Sequence, residues 1–133
     1  MNNFTETLRA HHLKATPQRL EIANILYKKG HVSIEDLYET LLKKFNSISL
    51  ATIYKNVNIM IENAFIQEIK IPNQKSVYEL SKEAHAHLVC NNCGMIEDIT
   101  LDLSSISELA AQQTNFQINK ADLVFSGLCS NCQ

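Results

Sequence analysis

Four cysteines in the last third of the chain form two pairs with identical spacing. Cys90-x-x-Cys93 comes first, and Cys129-x-x-Cys132 follows. Two residues between thiols let one tight turn direct both sulfurs at a single ion, and two such turns supply the four tetrahedral thiolates typical of structural zinc. Because protein ligands fill all four positions, none is left for a substrate. The pattern predicts one structural Zn(II) per subunit, bound by Cys90, Cys93, Cys129 and Cys132.

Two disulfides, or a thioredoxin-like redox pair, are the alternative interpretations of these cysteines, and the thiolates can also act as an oxidation-sensitive latch. No apolar run approaches the roughly 20 residues that a membrane span needs. The opening MNNFTETLRA has no apolar stretch typical of a signal peptide. We therefore expect a cytoplasmic protein without membrane association, in which thiols stay reduced. Reduced thiols disfavour two disulfides, and the duplication of the Cys-x-x-Cys motif disfavours a thioredoxin-like redox pair.

Two histidines precede the first cysteine pair, as His85-Ala86-His87. In a strand, residues i and i+2 point to the same face, so both imidazoles can bind one ion. Candidates to complete the ligand set are His31, Glu79 and Asp98, although each alone is more typical of a surface residue. Such a nitrogen and oxygen site suits Fe(II), Mn(II) or Zn(II).

The first part of the chain has the pattern of a winged helix-turn-helix domain. Thr16, Ser33 and Ser49 each have the character of a helix N-cap, and Gly30 ends the helix that Thr16-Pro17 begins. The helix after Ser49 is predicted to bury Leu50, Ile53, Val57, Met60 and Ile61. The period then changes to 2 around Ile69 and Ile71, followed by a turn and a return strand over residues 77–80. Helix, turn, helix and hairpin in this order predict the winged domain over residues 1–82.

The second part, residues 83–133, has the pattern of a small α/β domain. Strands are expected over residues 85–90 and 95–100, and a last strand over residues 116–125. Ser105-x-x-Glu108 resembles a capping box for a helix that ends near Gln113. The predicted fold class is therefore α+β, with the four-cysteine zinc site in the second domain.

Charge is divided unequally between the two parts. Residues 1–82 hold eleven of the 12 Lys and Arg and eight of the 14 Asp and Glu, a net of +3, whereas residues 83–133 have a net of −5. On the fourth helix, an outward face carries Ala51, Tyr54, Lys55 and Asn58, which are suited to the major groove of DNA. On this helix alone, an ordinary solvated surface is the better explanation. The basic first part and the hairpin favour double-stranded DNA as the partner.

These elements resemble, over nearly the whole chain, the Fur (ferric uptake regulator) family. Four blocks carry the resemblance: Thr16-Pro17-Gln18-Arg19, Ser49-x-Ala51-Thr52-x-Tyr54, His85-x-His87-x-x-Cys90-x-x-Cys93-Gly94 and Cys129-x-x-Cys132. The resemblance implies a homodimeric repressor that pairs through residues 83–133, the dimerisation and metal-binding domain, and binds palindromic, A·T-rich operators. It places Tyr54 on thymines, Lys55 and Thr52 beside it, Lys14 in the minor groove and Arg19 on the DNA backbone.

The resemblance also implies a regulatory ion, Fe(II) or Mn(II), one per subunit. Its ligands would be His31, Glu79, His85, His87 and Asp98. An ion held by both domains selects one orientation of the domains, which couples metal and operator affinity. A second non-thiolate site of the family has no counterpart, because its positions carry Ala84, Ala86, Ser105 and Ala121.

Asp98 is the residue type that peroxide-sensing members have, whereas iron-sensing members have Glu there. In such sensors, hydrogen peroxide is the signal, and iron-driven oxidation of His31 or His85 ends repression. Glu79 fits iron sensors better, so a metal-homeostasis repressor is the alternative. A non-haem iron enzyme, which two His and a carboxylate also permit, is less favoured because no substrate pocket is indicated. A zinc-stabilised interaction module without regulation is the fourth interpretation.

Overall fold

The computed structural model describes residues 3–82 and 85–133 of this chain. Contacts divide the chain into two compact units, Met1–Ser81 and Lys82–Gln133. The boundary that we predict, between residues 82 and 83, is one residue later. It borders Glu83 and Ala84, which lie outside the described residues. Each unit contains helix and a three-stranded sheet, which confirms the predicted α+β class.

The first unit is a winged helix-turn-helix. Its elements are α1 (Thr5–Ala10), α2 (Pro17–Lys29), β1 (Val32–Ser33), α3 (Ile34–Leu42), α4 (Leu50–Glu62), β2 (Ile66–Ile69) and β3 (Val77–Leu80). The sheet order is β1-β3-β2, and both pairings are antiparallel. The short β1 strand was not predicted, because two residues are too few to show a period of 2.

Three hydroxyl side chains define where the main helices begin. The hydroxyl of Thr16 accepts a hydrogen bond from the Arg19 amide at 3.3 Å. Ser33 and Ser49 accept from the third residue after each, at 3.2 Å and 3.1 Å. Each bond satisfies one amide that has no partner within the helix. The three predicted N-caps are therefore confirmed.

The buried side chains of the first unit form one core. It contains Leu8, Leu13, Ile22, Ala23, Ile25, Leu26, Val32, Ile34, Leu37, Leu41, Ile48, Ile53, Val57, Met60, Phe65, Ile66 and Tyr78. The burial of Leu50 was predicted wrongly, since it is 41% exposed. It occupies the first turn of α4, beyond the part of the helix that buries Ile53 and Val57.

The second unit is smaller and less well filled. Its elements are β4 (Ala86–Cys90), β5 (Ile96–Ile99), α5 (Leu103–Gln112) and β6 (Val124–Gly127). β4 is central, antiparallel to β5 and parallel to β6. Among the described residues of this unit, the buried apolar side chains are Ala86, Val89, Cys90 and Leu103. In the helices formed by residues 3–82 and 85–133, none has both the length and the apolar character that a membrane span requires.

Two local predictions for the second unit were wrong. Helix α5 is capped by Asp102 instead of Ser105, because the Asp102 carboxylate accepts from the Ser104 amide at 3.2 Å and from the Ser105 hydroxyl at 2.8 Å. A carboxylate is the stronger acceptor at a helix N-terminus. The last strand is four residues long and begins at Val124. Residues 116–123 include Asn119 and Asp122, which are residue types depleted in strands.

Gly30 ends α2 with a backbone φ of +81° and ψ of −71°. A β-carbon at this position would meet no atom within 4 Å, so only backbone strain opposes a side chain. We expect Gly30→Ala to lower the free energy of unfolding by about 1–3 kcal/mol, measured by urea denaturation. Gly127→Ala is the control, because Gly127 is also in open space without a positive φ. Equal stability of the two variants would contradict this account of Gly30.

Candidate functional site

The four cysteine sulfurs lie within 4.8 Å of one another. The Sγ atoms of Cys93 and Cys129 are 3.8 Å apart. A tetrahedron with bonds of about 2.3 Å to a central ion has sulfurs about 3.8 Å apart, whereas bonded disulfide sulfurs are about 2.05 Å apart. All four are free thiols. The structure therefore has a four-cysteine cluster positioned for a metal ion, and it gives no disulfide.

Strand pairing explains why the two cysteine pairs meet. Cys90 is the last residue of β4, and Gly127, the last residue of β6, is its partner in the parallel register. The Asn91 amide continues the pairing by donating to the Gly127 carbonyl at 2.7 Å. The two turns that follow these strands are therefore side by side. Residues distant in sequence become one site because neighbouring parallel strands end together.

The cluster carries negative charge before any ion is considered. Backbone amides of Cys129 and Cys93 point at the Cys90 sulfur, at 3.4 Å and 3.5 Å. These amides, that of Cys129 most strongly, lower the pKa of the Cys90 thiol to about 5. Hydrogen bonds to the charged form stabilise it. Cys90 is therefore a thiolate at neutral pH, which is the form that binds metal.

A second group of metal-binding side chains lies on β4 and β5. His87 is paired with Asp98 in the antiparallel register, so both side chains point to one face of the sheet. The Nε2 atoms of His87 and His85 are 3.4 Å and 3.8 Å from Asp98 Oδ1. The two imidazole rings are 4.4 Å apart. We call His85, His87 and Asp98 the strand half-site.

Lys82 provides the positive charge of the strand half-site. Its Nζ lies 2.6 Å from Asp98 Oδ2, while Oδ1 faces the histidines. Both imidazoles are over nine-tenths buried, whereas Asp98 is about one-third exposed. Sequence reasoning did not find Lys82, because nothing in the pattern pairs residue 82 with residue 98.

The first unit contains its own group of metal-binding side chains. Strand β1 pairs with β3, and this brings His31, just before β1, next to Glu79 on β3. His31 Nε2 is 3.0 Å from Glu79 Oε2. The Gln67 amide donates to the other carboxylate oxygen, because Gln67 faces Glu79 in the β2–β3 register. We call His31 and Glu79 the wing half-site.

The wing half-site is mostly buried: Glu79 is fully inaccessible, and the His31 side chain is 16% exposed. A buried carboxylate is unfavourable unless charged or polar groups compensate it, and Gln67 and His31 do so here. No sequence pattern indicated Gln67, since the register that joins it to Glu79 depends on the hairpin turn. Within the first unit the structure brings His31 next to Glu79, and within the second it brings His85 and His87 next to Asp98.

At the positions where the family's second non-thiolate site would lie, the side chains bind metal poorly or not at all. Ala86 lies in the middle strand of the second sheet. The Ser105 hydroxyl donates to Asp102, and Ala121 is exposed. Ala84 lies outside the described residues.

Helix α4 presents its predicted DNA-binding face to solvent. Ala51, Tyr54, Lys55 and Asn58 are exposed at positions i, i+3, i+4 and i+7. The opposite face buries Ile53, Val57 and Met60. Thr52 differs from the others, because it is half-buried and its hydroxyl is 2.9 Å from that of Ser49. A helix that packs on the core through one face and exposes polar side chains on the other is suited to binding in a DNA groove.

Lys14 lies just before α2, and Arg19 lies in its first turn. Lys14 is exposed in the loop before the helix, and Arg19 is half-buried. The Arg19 guanidinium donates to Asn56 on α4 at 3.1 Å and to the Lys14 carbonyl at 3.2 Å. Two of the donor groups of Arg19 are therefore used inside the unit. Asn56 did not stand out in the sequence, because it is outside the exposed stripe of α4.

Comparison with known proteins gives a consistent result. The profile described as "Ferric uptake regulator family" matches residues 10–126. The peroxide operon regulator of Bacillus subtilis is 32% identical over 96% of this chain and 89% of its own length. The ferric uptake regulation protein of the same organism is 31% identical over 99% of this chain and 93% of its own. The crystal structure of the Campylobacter jejuni peroxide stress regulator is 36% identical, with a TM-score of 0.75, and covers 98% of this chain and 100% of its own.

Proposed function

This chain belongs to the ferric uptake regulator family, and we propose that it is a metal-dependent transcriptional repressor released from DNA by hydrogen peroxide. The observation that carries the proposal is the strand half-site, which joins two buried imidazoles to an Asp carboxylate. The similarity to two peroxide regulators at 32% and 36% identity supports the same subtype. The alternative is a metal-homeostasis repressor, which Glu79 and the similarity to the ferric uptake regulation protein support. The experiment below distinguishes it from a peroxide sensor.

Operator DNA is bound by the winged units of a homodimer. Helix α4 enters the major groove, where Tyr54 packs on thymine methyls and Lys55 meets phosphate or guanine, beside Ala51, Thr52 and Asn58. Lys14 reaches the minor groove. The net charge of +3 on residues 1–82 supplies the attraction to DNA. A palindromic, A·T-rich operator follows from the two-fold symmetry of the dimer and from these contacts.

The homodimer forms through the second unit. Large apolar side chains of this unit are exposed: Met95, Ile106, Leu109, Phe116, Phe125 and Leu128, between 45% and 74%. A unit of this size rarely leaves so many apolar groups in water unless a partner covers them. A second copy of the same surface provides that cover in a symmetric dimer.

Zn(II) occupies the four-cysteine cluster, one ion per subunit. The sulfur spacing fits a tetrahedral ion, and a lowered thiol pKa prepares Cys90 to bind it. With four protein ligands and no open position, the ion has a structural role. It ties the end of the chain to the end of β4.

One Fe(II) or Mn(II) per subunit takes ligands from both half-sites. The donor set is His31, Glu79, His85, His87 and Asp98, and mixed nitrogen and oxygen ligands suit these ions. An ion bound by side chains of two units favours a single arrangement of those units. If that arrangement fits the operator, metal affinity and operator affinity rise together by linkage. Metal would then act as corepressor.

Peroxide sensing follows from the histidine ligands. Bound Fe(II) would supply the redox chemistry that activates hydrogen peroxide. The imidazole of His31 or His85 gains one oxygen atom from the peroxide, and the other leaves as water. An oxidised imidazole is a poor metal ligand, so the regulatory metal is bound less tightly. Operator affinity then falls with metal affinity, and the operator is released. Asp98 is the residue type that the family resemblance associates with peroxide sensing.

The test uses operator duplexes selected from a random pool by the Mn(II)-loaded protein. We expect mild peroxide to abolish operator binding by the Fe(II) form and to spare the Mn(II) form. Mass spectrometry should find one added oxygen on the peptide of His31 or His85. His11 and His12, which belong to neither half-site, are the internal control and should stay unmodified. An Fe(II) form that keeps its operator, without oxygen on histidine, would leave a metal-homeostasis repressor.

A further inference from the structure

A hydrogen-bonded group links the loop that carries Lys14 to helix α4. Arg19 is at its centre, because Nε donates to Asn56 Oδ1 at 3.1 Å and one terminal nitrogen donates to the Lys14 carbonyl at 3.2 Å. The same carbonyl accepts from the Thr16 amide at 3.0 Å. One guanidinium therefore contacts both elements that the proposed function brings to DNA.

Asn56 is held in a fixed orientation. Its amide nitrogen donates to the Thr52 carbonyl at 3.1 Å and contacts Gln18 Oε1 at 3.5 Å, which leaves its oxygen facing Arg19. Asn56 is half-buried, whereas its neighbours Tyr54 and Lys55 are exposed. Its side chain is thus engaged with α2 instead of being available to a base.

We propose that Arg19 and Asn56 form a brace that fixes the Lys14 loop at a set distance from helix α4. The inference rests on the proposed DNA-binding function. Lys14 and Tyr54 address different grooves, so both reach DNA only if their separation matches the duplex. A loop that is ordered before binding loses less conformational entropy on association. Arg19 is then a positioning residue for Lys14, which differs from the direct backbone contact that the family resemblance assigns to it.

The brace and a direct phosphate contact predict different results for conservative variants. Arg19→Lys keeps the charge and reach toward phosphate, yet it loses the planar fork that contacts Asn56 and the Lys14 carbonyl together. Asn56→Ala removes an uncharged side chain that has no place in a phosphate contact. The brace predicts that each variant lowers operator affinity about tenfold, the scale of a hydrogen bond to a charged group.

The experiment measures operator affinity of the Mn(II)-loaded protein at several salt concentrations. We expect Arg19→Lys and Asn56→Ala to approach the salt slope of Lys14→Ala, about 0.9 less steep than wild type, because a lysine that leaves the minor groove no longer displaces a counterion. In a Lys14→Ala background, neither change should lower affinity further. Arg9→Lys is the matched control, because Arg9 is exposed and pairs with Glu6 at 3.5 Å. It should behave as wild type.

Hydrogen exchange of the Thr16 amide reports on the brace without DNA. Its bond to the Lys14 carbonyl should open more often in both variants, with exchange about tenfold faster, while the melting temperature stays near that of wild type. Losses that add in full to Lys14→Ala, or an unchanged Thr16 exchange rate, would overturn the brace. A wild-type protein that binds operator and scrambled duplex equally would instead contradict the proposed function, and Thr16 exchange alone would then decide whether the brace exists.

Discussion

Cys93→Ser is expected to unfold the second unit and to lower operator affinity by at least about 100-fold. Structural zinc contributes an apparent 10–16 kcal/mol in small domains at neutral pH, which is as large as the whole stability of a typical domain. The buried apolar side chains described in the second unit, chiefly Ala86, Val89 and Leu103, are too few to replace it. Loss of the unit would also remove the proposed homodimer, so each half of the palindromic operator would be bound independently.

Three measurements check this expectation. Zinc per chain should fall from one to near zero, sedimentation should show monomer, and circular dichroism should retain the helices of the first unit. Asn91→Ala is the matched control in the same turn, since Asn91 pairs with Gly127 through its backbone amide. A Cys93→Ser protein that lacks zinc but remains a folded dimer would show that the cluster has no structural role.

The second large effect is expected for His87→Ala, which should raise the Mn(II) concentration needed for operator binding by at least about 100-fold. His87 Nε2 is 3.4 Å from Asp98 and its ring adjoins that of His85, so it is the central member of the strand half-site. Removing even an outer-shell partner of a metal ligand typically costs 10–100-fold, and loss of a ligand should cost at least as much. Zinc content should remain at one per chain.

The measurement is operator binding as a function of added Mn(II), with His12→Asn as control. His12 is exposed with a φ of +63°, and Asn tolerates that conformation. The control should respond to metal as wild type does. If His87→Ala needs no more Mn(II) than wild type, the regulatory ion binds elsewhere, and His85, His87 and Asp98 would be an ordinary polar cluster.

Sequence patterns predicted those features that depend on nearby residues. Thr16, Ser33 and Ser49 cap their helices through amides three residues away, so local chemistry was sufficient. The same logic failed at Ser105, where Asp102 is a stronger competitor three residues earlier. The extent of the last strand depends on which residues can face β4, and that is a property of the folded sheet.

The candidate site shows the same division between local and long-range information. The i, i+2 spacing was enough to pair His85 with His87. The pairing of His87 with Asp98, and of Gln67 with Glu79, follows from strand registers. Lys82 and Asn56 could not be found from the pattern, because their partners are 16 and 37 residues away. Periodicity within one element does not specify contacts over such separations.

The core described for the first unit lies wholly between Phe4 and Leu80, and this has a consequence for biosynthesis. The N-terminal unit leaves the ribosome first and can acquire its native packing while the cysteines are still being translated. Under the proposed function, the C-terminal unit must wait for a zinc ion and for a second copy of the chain. In zinc-starved cells, newly made chains would therefore accumulate with a folded first unit and an unfolded second unit. Unfolded segments of this kind are substrates for proteases. Repressor abundance would then follow zinc supply, while repressor activity would respond to the proposed regulatory metal and to peroxide.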